Sequence, residues 1–249
     1  MKHFIFIFNA IFAVILAQGL VGCDDGHVDD PVHEGLNAEG YTVKITGTFQ
    51  RLQTWSGSYL VAAACFGDES EYSVIQKALP NTSTDTSVET VTLSNVPANA
   101  KTVEIAVVSI LRKRVASLYT YEIPEGQRHD DTIRVDVGCL DVGMFGAINQ
   151  HVFQGSKTNC ARCHGGVSPA AGLNLTAATA YVNLVGKAAT TDASQTRVVA
   201  GSADRSYLYK VITEGDPHVG YPHPGLFVDE PEATFVKIVR EWIDGGALK

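Results

Sequence analysis

The sequence has no surplus of positive charge. Its 249 residues include 19 Lys and Arg against 27 Asp and Glu, which gives a net charge of −8, and no stretch forms a basic stripe. Proteins that bind nucleic acid neutralise its phosphates with clustered Lys and Arg side chains. The composition therefore argues against a nucleic-acid partner.

Residues 41–140 lack any long stretch of helical periodicity. Residues 41–49 instead alternate between larger apolar and polar side chains, apart from Gly47, which is the period of a strand with one buried face. Further short runs of this kind follow, separated by turn-forming clusters. The pattern predicts an antiparallel, immunoglobulin-like β-sandwich over 41–140. No catalytic constellation is evident in these residues, so we expect a spacer or docking role for them.

The chain begins with a targeting segment. An apolar run from Phe4 to Leu16 follows the charged N-terminus, which predicts a signal peptide over residues 1–22. The four residues that end at Cys23 (Leu-Val-Gly-Cys) resemble the lipobox of bacterial lipoproteins, in which a peptidase cuts before a cysteine that becomes diacylated. An uncleaved anchor and a plain signal peptide are the alternatives.

A lipidated Cys23 would hold the mature chain at a bacterial membrane, outside the cytoplasm. Several acyl chains on one residue hold a protein more firmly than a single chain does. Residues 23–40 contain six acidic residues and no basic one. Such a segment repels itself and has little to bury, so we expect an acidic, solvated tether over 23–40.

The stretch from Asn159 to Gly166 (NCARCHGG) carries the strongest motif. Cys160 and Cys163 are three residues apart and His164 follows directly, which is the signature of c-type haem attachment. Each thiol adds across one haem vinyl group, and His164 would lie under the iron as the proximal ligand. A zinc site on the same cysteines is the alternative, but it needs two further ligands. We expect one covalent haem c.

Two cysteines are left over, Cys65 and Cys139. In an oxidising compartment they could form a disulfide. They could equally be two buried free thiols, which pack as small hydrophobic side chains. The sequence does not choose between these readings.

Beyond residue 140 the apolar residues recur at helical intervals. The stretches 143–157, Ala177–Gly186 and Pro231–Ile243 are typical of helices, and Ser202 is typical of a helix cap. Short helices wrapped around a haem make an all-α class I cytochrome c domain. The predicted fold class is therefore α+β multidomain, with the β-sandwich followed by this domain over 141–249.

This C-terminal sequence resembles planctomycete-type monohaem cytochrome c domains over roughly residues 144–248. Besides the haem motif, the shared features are a Gly-Leu-x-Leu turn at 172–175, a Gly-Ser segment that ends at Ser202, and a closing Trp-Ile-x-x-Gly-Ala that begins at Trp242. The resemblance implies electron transfer, with the two cysteines and the histidine of the haem motif holding the cofactor.

One departure from the family concerns the second iron ligand. The family supplies a methionine from the loop before the last helix, where this sequence has Tyr221; apart from Met1, its sole methionine is Met144. Three groups in that loop could bind iron, namely His218, Tyr221 and His223, and a neutral imidazole is the better ligand because a tyrosine must first ionise from a reference pKa of about 10. We favour His223, because in an extended loop it projects to the same side as Tyr221 and the flanking prolines stiffen it. The alternative is a five-coordinate iron.

Three functions follow from these observations. The first is a membrane-tethered electron carrier that passes electrons to a redox partner protein, and two imidazole ligands would give it a low potential. The second is a haem enzyme or ligand sensor with an open sixth iron position. The third is an adhesion or carbohydrate-binding lipoprotein in which haem is secondary. The first is favoured, because no acid–base pair for peroxide chemistry is evident near the loop.

Overall fold

Two β-sheets form most of the computed structural model, which describes residues 40–55, 57–81, 85–128, 130–215, 217 and 220–249. Within these residues there are seven strands: β1 Tyr41–Gln50, β2 Tyr59–Gly67, β3 Ser73–Ala78, β4 Glu89–Val96, β5 Ala100–Ser109, β6 Arg114–Glu122 and β7 Thr132–Asp141. One sheet has the strand order β4-β1-β7, and the other has the order β3-β2-β5-β6.

Strand β1 alternates strictly between buried and half-buried side chains, with Val43 and Ile45 in the core. It pairs with β4 in antiparallel and with β7 in parallel orientation. The parallel register matches Thr42 with Thr132 and Gln50 with Asp141. Strand β7 therefore delivers the chain to the end of the sheet at which β1 also ends.

The four-stranded sheet buries both of its faces at β2 and β5. All six residues from Val61 to Phe66 are buried. Alternate side chains of β2 join the main core, and a second small cluster lies on the opposite face; its members are Ala62, Ala64, Phe66, Ala106 and Val108. A strand that is buried on both sides is read in the sequence as a continuous apolar run.

The α-helices in the described residues are short: α1 Met144–Ile148, α2 Ala180–Leu184, α3 Tyr207–Thr213 and α4 Glu232–Asp244. A π-helical turn, Asn149–Phe153, continues α1. Single 3-10 turns lie at Leu52–Thr54, Cys160–Arg162, Ala170–Gly172, Ala203–Arg205 and His223–Phe227. No helix in the described ranges is long and apolar enough to cross a membrane.

The predicted fold class is wrong, because the chain is mostly β-sheet and its C-terminal part is not an all-α class I cytochrome c domain. Helix α1 has 5 residues and α4 has 13. Helices shorter than about 12–15 residues are marginal without tertiary support, and here loops, 3-10 turns and isolated β-bridges take much of the length. The sheets also depart from the prediction, since β1 and β7 are parallel.

The observed helix boundaries agree with the predicted ones to different degrees. Helix α4 lies within one residue of the predicted Pro231–Ile243. Helix α2 covers half of Ala177–Gly186. Ser202 precedes a 3-10 turn, whereas Ser206 immediately precedes α3. Helical spacing therefore located the C-terminal helix well, because its thirteen residues include a continuous buried stripe.

Contacts at the end of β7 hold α1 against the sheets. Arg51 donates to both carboxylate oxygens of Asp141, at 3.0 and 2.7 Å. The indole nitrogen of Trp55 donates to the carbonyl of Val142 at 2.6 Å. The ring of Phe145 then packs on Trp242 of α4, with centroids 5.1 Å apart. The segment that leads into the haem motif is thus anchored on both sides.

Candidate functional site

The haem motif forms a single turn of chain. Cys160 begins a 3-10 turn after Asn159, whose φ of 36° lies in the left-handed region. The backbone N–H groups of Cys163 and His164 both donate to the carbonyl of Cys160, at 3.2 and 2.9 Å. The two thiols and the imidazole are therefore presented by one compact turn, as thioether attachment requires.

The two thiols have different surroundings. Cys160 is half-buried and packs against the main core, whereas Cys163 is exposed. Burial raises the pKa of the Cys160 thiol to about 11. The Cys160 side chain is therefore protonated at neutral pH when it is not bonded.

The His164 ring is oriented by a loop that folds back over it. Its Nδ1 lies 3.0 Å from the carbonyl of Ala170, and the N–H of Leu175 donates to the His164 carbonyl at 2.6 Å. A carbonyl oxygen can only accept, so the proton of the neutral ring is on Nδ1. Nε2 is left as the nitrogen that can bind a metal.

The His223 ring is arranged in the same way. Its Nδ1 lies 3.0 Å from the carbonyl of Tyr221, two residues earlier, so Nε2 again carries the free lone pair. The Tyr221 ring meets the imidazole edge-on, with centroids 5.2 Å apart. Burial, together with repulsion from His164, lowers the pKa of His223. The neutral form, which is the ligand form, is therefore favoured.

The structure brings these two histidines together. The ring centroids of His164 and His223 are 6.1 Å apart and the ring planes are inclined by 32°. A metal-bound imidazole nitrogen lies about 2.0–2.1 Å from the metal, so two imidazoles on opposite sides of one metal have centroids about 6.4 Å apart. The observed separation is close to the one that His164 and His223 would need if they held one iron, with Cys160 and Cys163 as the attachment residues.

A surface cavity of about 420 Å³ flanks His223. It is lined by Glu214, Gly215, Gly220, Tyr221, Pro222, Pro224 and Gly225. In the described ranges, no group of three or more His, Cys, Asp and Glu side chains is arranged as a metal site.

The remaining sequence-predicted residues are Cys23, His218, Met144, Cys65 and Cys139. Cys23 and His218 fall outside the described residues. Met144, the first residue of α1, is 1% exposed and lies in the hydrophobic core. Cys65 is a buried free thiol of β2, and burial raises its pKa to about 12. Cys139 is an exposed free thiol of β7, in the other sheet, so the structure does not join this pair as a disulfide.

The sequence analysis missed the groups that orient the two rings. Both acceptors, at Ala170 and Tyr221, are backbone carbonyls, which carry no residue-type signal. The proline between Tyr221 and His223 is the one local clue to such a turn. The sequence therefore could indicate the candidate ligands but not the hydrogen bonds that orient their rings.

A third histidine, His151, lies at the junction of the helices with the sheets. Its Nε2 donates to the carbonyl of Ser117 on β6 at 2.9 Å. Its ring stacks on Phe235 of α4, with centroids 5.5 Å apart and an inclination of 20°. Burial lowers the pKa of His151, so the folded state holds the ring neutral.

We expect His151 to make the protein less stable in acid. Above about pH 6.5, His151 is neutral in both the folded and the unfolded state. Below this pH the unfolded chain binds a proton at His151. The folded chain does not bind it until the pH reaches the lowered pKa of the folded state. The free energy of unfolding should therefore decrease as the pH is lowered across that window. Urea unfolding of the wild type and of His151→Gln, from pH 8 to pH 5, measures this pH dependence. The unfolding free energy of His151→Gln should change less steeply with pH than that of the wild type. Parallel curves for the two proteins contradict the expectation.

Comparisons with protein-family models, with curated proteins and with solved structures find no match for this chain. The resemblance to planctomycete-type cytochrome c domains therefore stays a prediction from the motifs.

Proposed function

We propose that this chain is a membrane-tethered electron carrier outside the cytoplasm, with one covalent haem c. Cys160 and Cys163 hold the haem, His164 is the proximal iron ligand and His223 is the second. The observation that carries the proposal is the closeness of the His164 and His223 imidazoles, whose ring centroids are 6.1 Å apart, beside the turn that carries Cys160 and Cys163. Both rings have Nδ1 bonded to a carbonyl, which supports Nε2 ligation on each side.

When bound, the haem supplies an iron that takes up and releases one electron. The residues of the chain bind it, orient it and set its potential. Two imidazoles give a lower potential than a histidine and a methionine. Hydrogen bonds from Nδ1 to the carbonyls of Ala170 and Tyr221 increase the electron donation of both rings, which favours the ferric state further. We therefore propose a low-potential carrier that serves a redox partner protein.

Optical spectra of the purified holoprotein, with and without reductant, test this proposal. A six-coordinate, low-spin haem in both oxidation states agrees with an electron carrier. A five-coordinate, high-spin ferric haem would instead support a haem enzyme or sensor with an open sixth position. Carbon monoxide added to the reduced protein adds a second reading, because it binds quickly only to an open iron.

For the membrane tether, we expect Cys23→Ala to stop processing of the precursor. A cysteine at this position is the acceptor of the acyl chains, and the peptidase of the lipobox pathway acts on the acylated form. The variant should migrate more slowly than the mature wild type on a denaturing gel, and the wild type should partition with membranes. Unchanged processing to a product free of membranes contradicts the lipobox and indicates an ordinary signal peptide.

A further inference from the structure

The segment Tyr221-Pro222-His223 has the geometry of an inverse γ-turn. Pro222 has φ −78° and ψ 72°, close to the values of about −75° and +65° for this turn. The backbone N–H of His223 donates to the carbonyl of Tyr221 at 2.9 Å, as the turn requires. The proline ring confines φ to about −65 ± 15°, so Pro222 is built for this conformation.

The same carbonyl accepts a second hydrogen bond, from the ring of His223. Nδ1 of His223 lies 3.0 Å from it, so one oxygen of Tyr221 holds both the backbone and the imidazole of the histidine. The Tyr221 ring restricts the imidazole from another direction, edge-on at 76°. The orientation of the His223 ring thus depends on a backbone turn and is not left to the free rotation of the side chain.

We infer that Pro222 is a positioning residue, which acts through the turn to fix the plane of the His223 imidazole relative to that of His164. This inference rests on the proposed function, since it concerns the pair of rings as axial ligands of one iron. The angle in question is 32°. His164 needs no such turn, because its acceptor, Ala170, lies on a loop that folds back from six residues further along the chain.

The angle between two axial imidazoles has a spectroscopic consequence. It determines how the iron d orbitals split, so nearly parallel rings give a rhombic ferric low-spin spectrum, whereas perpendicular rings give one strongly shifted g value. A ring plane that is held fixed gives narrow lines. A ring that is free to rotate gives a spread of g values, although the iron remains low-spin.

The test uses Pro222→Ala and Pro222→Gly in the full-length holoprotein, because alanine and then glycine widen the conformational range of residue 222 stepwise. Electron paramagnetic resonance of the ferric protein should show a rhombic low-spin signal in the wild type, a broader spread of g values in the alanine variant and the broadest in the glycine variant. Cyanide association, which requires His223 to leave the iron, should become about two- to fivefold faster with alanine. Pro124→Ala, the same change in an exposed turn after β6, is the matched control and should match the wild type.

The possible results separate the two claims. Wild-type g values and wild-type cyanide rates in both Pro222 variants overturn the positioning role, while the proposed function stands. A wild-type protein that is ferric high-spin overturns both. A Pro222 variant that becomes high-spin while its far-ultraviolet circular dichroism is unchanged supports the positioning role, since the ligand is then lost without loss of the fold. Tyr221→Phe retains the carbonyl and the ring, and its spectrum should stay that of the wild type; a change there would assign the effect to the hydroxyl and contradict the role of the turn.

Discussion

Protein in which Cys160 and Cys163 are both replaced by alanine is expected to carry no haem after denaturing gel electrophoresis, as judged by peroxidase staining. In the proposed function, thioether bonds at these two sulfurs would be the covalent link between the haem and the chain. Iron–imidazole bonds do not survive denaturation. The staining should therefore drop from full intensity to background.

The matched control is the double change Cys65→Ala and Cys139→Ala, which removes the same number of thiols. These two are free thiols in different sheets, away from the attachment turn, and staining should persist in that variant. Staining that survives the change at Cys160 and Cys163 would mean that the attachment site is wrong. Loss of staining in the control alone would move the attachment to the sheets.

The His223→Ala variant is expected to turn the ferric haem from six-coordinate low-spin to high-spin. The ring centroid of His223 lies 6.1 Å from that of His164, and alanine offers no ligand in place of the imidazole. The absorption spectrum reports the spin state directly. Added imidazole should restore the low-spin spectrum, because it can occupy the space that the side chain has left.

His218→Ala is the comparison that matters for this result, since His218 was the other histidine candidate. That variant should remain low-spin. If His223→Ala and His218→Ala both stay low-spin, another group binds the iron. Met144 is buried in the core at 1% exposure, whereas Tyr221 is exposed and adjacent to the site, so Tyr221 would then be the first residue to examine.

Residues of the β-sheets and of the turn after β1 hold the helical segment that precedes this site. The salt bridge of Arg51 with Asp141 and the hydrogen bond of Trp55 to Val142 hold the start of α1. His151 ties the following turn to β6. The haem motif begins nine residues after His151, so these contacts limit the movement of the segment that carries it. For the proposed electron carrier such support would be favourable, since little would have to reorganise when the charge on the iron changes.

Patterns that are local in the sequence predicted local features of the structure. The alternation over residues 41–49 predicted a half-buried strand, and β1 has that burial pattern. The apolar stripe before Gly245 predicted a helix, and α4 ends at Asp244. The spacing of Cys160, Cys163 and His164 placed three chemical groups on one turn. Such features depend on neighbours within a few residues, so composition and spacing are sufficient to indicate them.

The fold class was decided by contacts between distant residues, and there the prediction from sequence was wrong. Strand β7 pairs in parallel with β1 across about ninety residues, and no periodicity within either strand specifies a partner or a direction. The helical patterns after residue 140 each contain a helix, but α1 and α2 have only 5 residues each and the segments between the helices are loops and 3-10 turns; helices of this length depend on tertiary packing.

The sequence by itself contains the Cys160, Cys163 and His164 spacing and two histidines in one loop; the haem site and the signal peptide inferred from it stay predictions. Only the tertiary structure decided that the His223 ring lies close to the His164 ring and that the carbonyls of Ala170 and Tyr221 orient the two rings. The physical reason is that the two histidines are 59 residues apart, and their distance depends on how α3, α4 and the loops between them pack. Backbone carbonyls are moreover present at every residue, so only the folded chain selects the two that accept these hydrogen bonds.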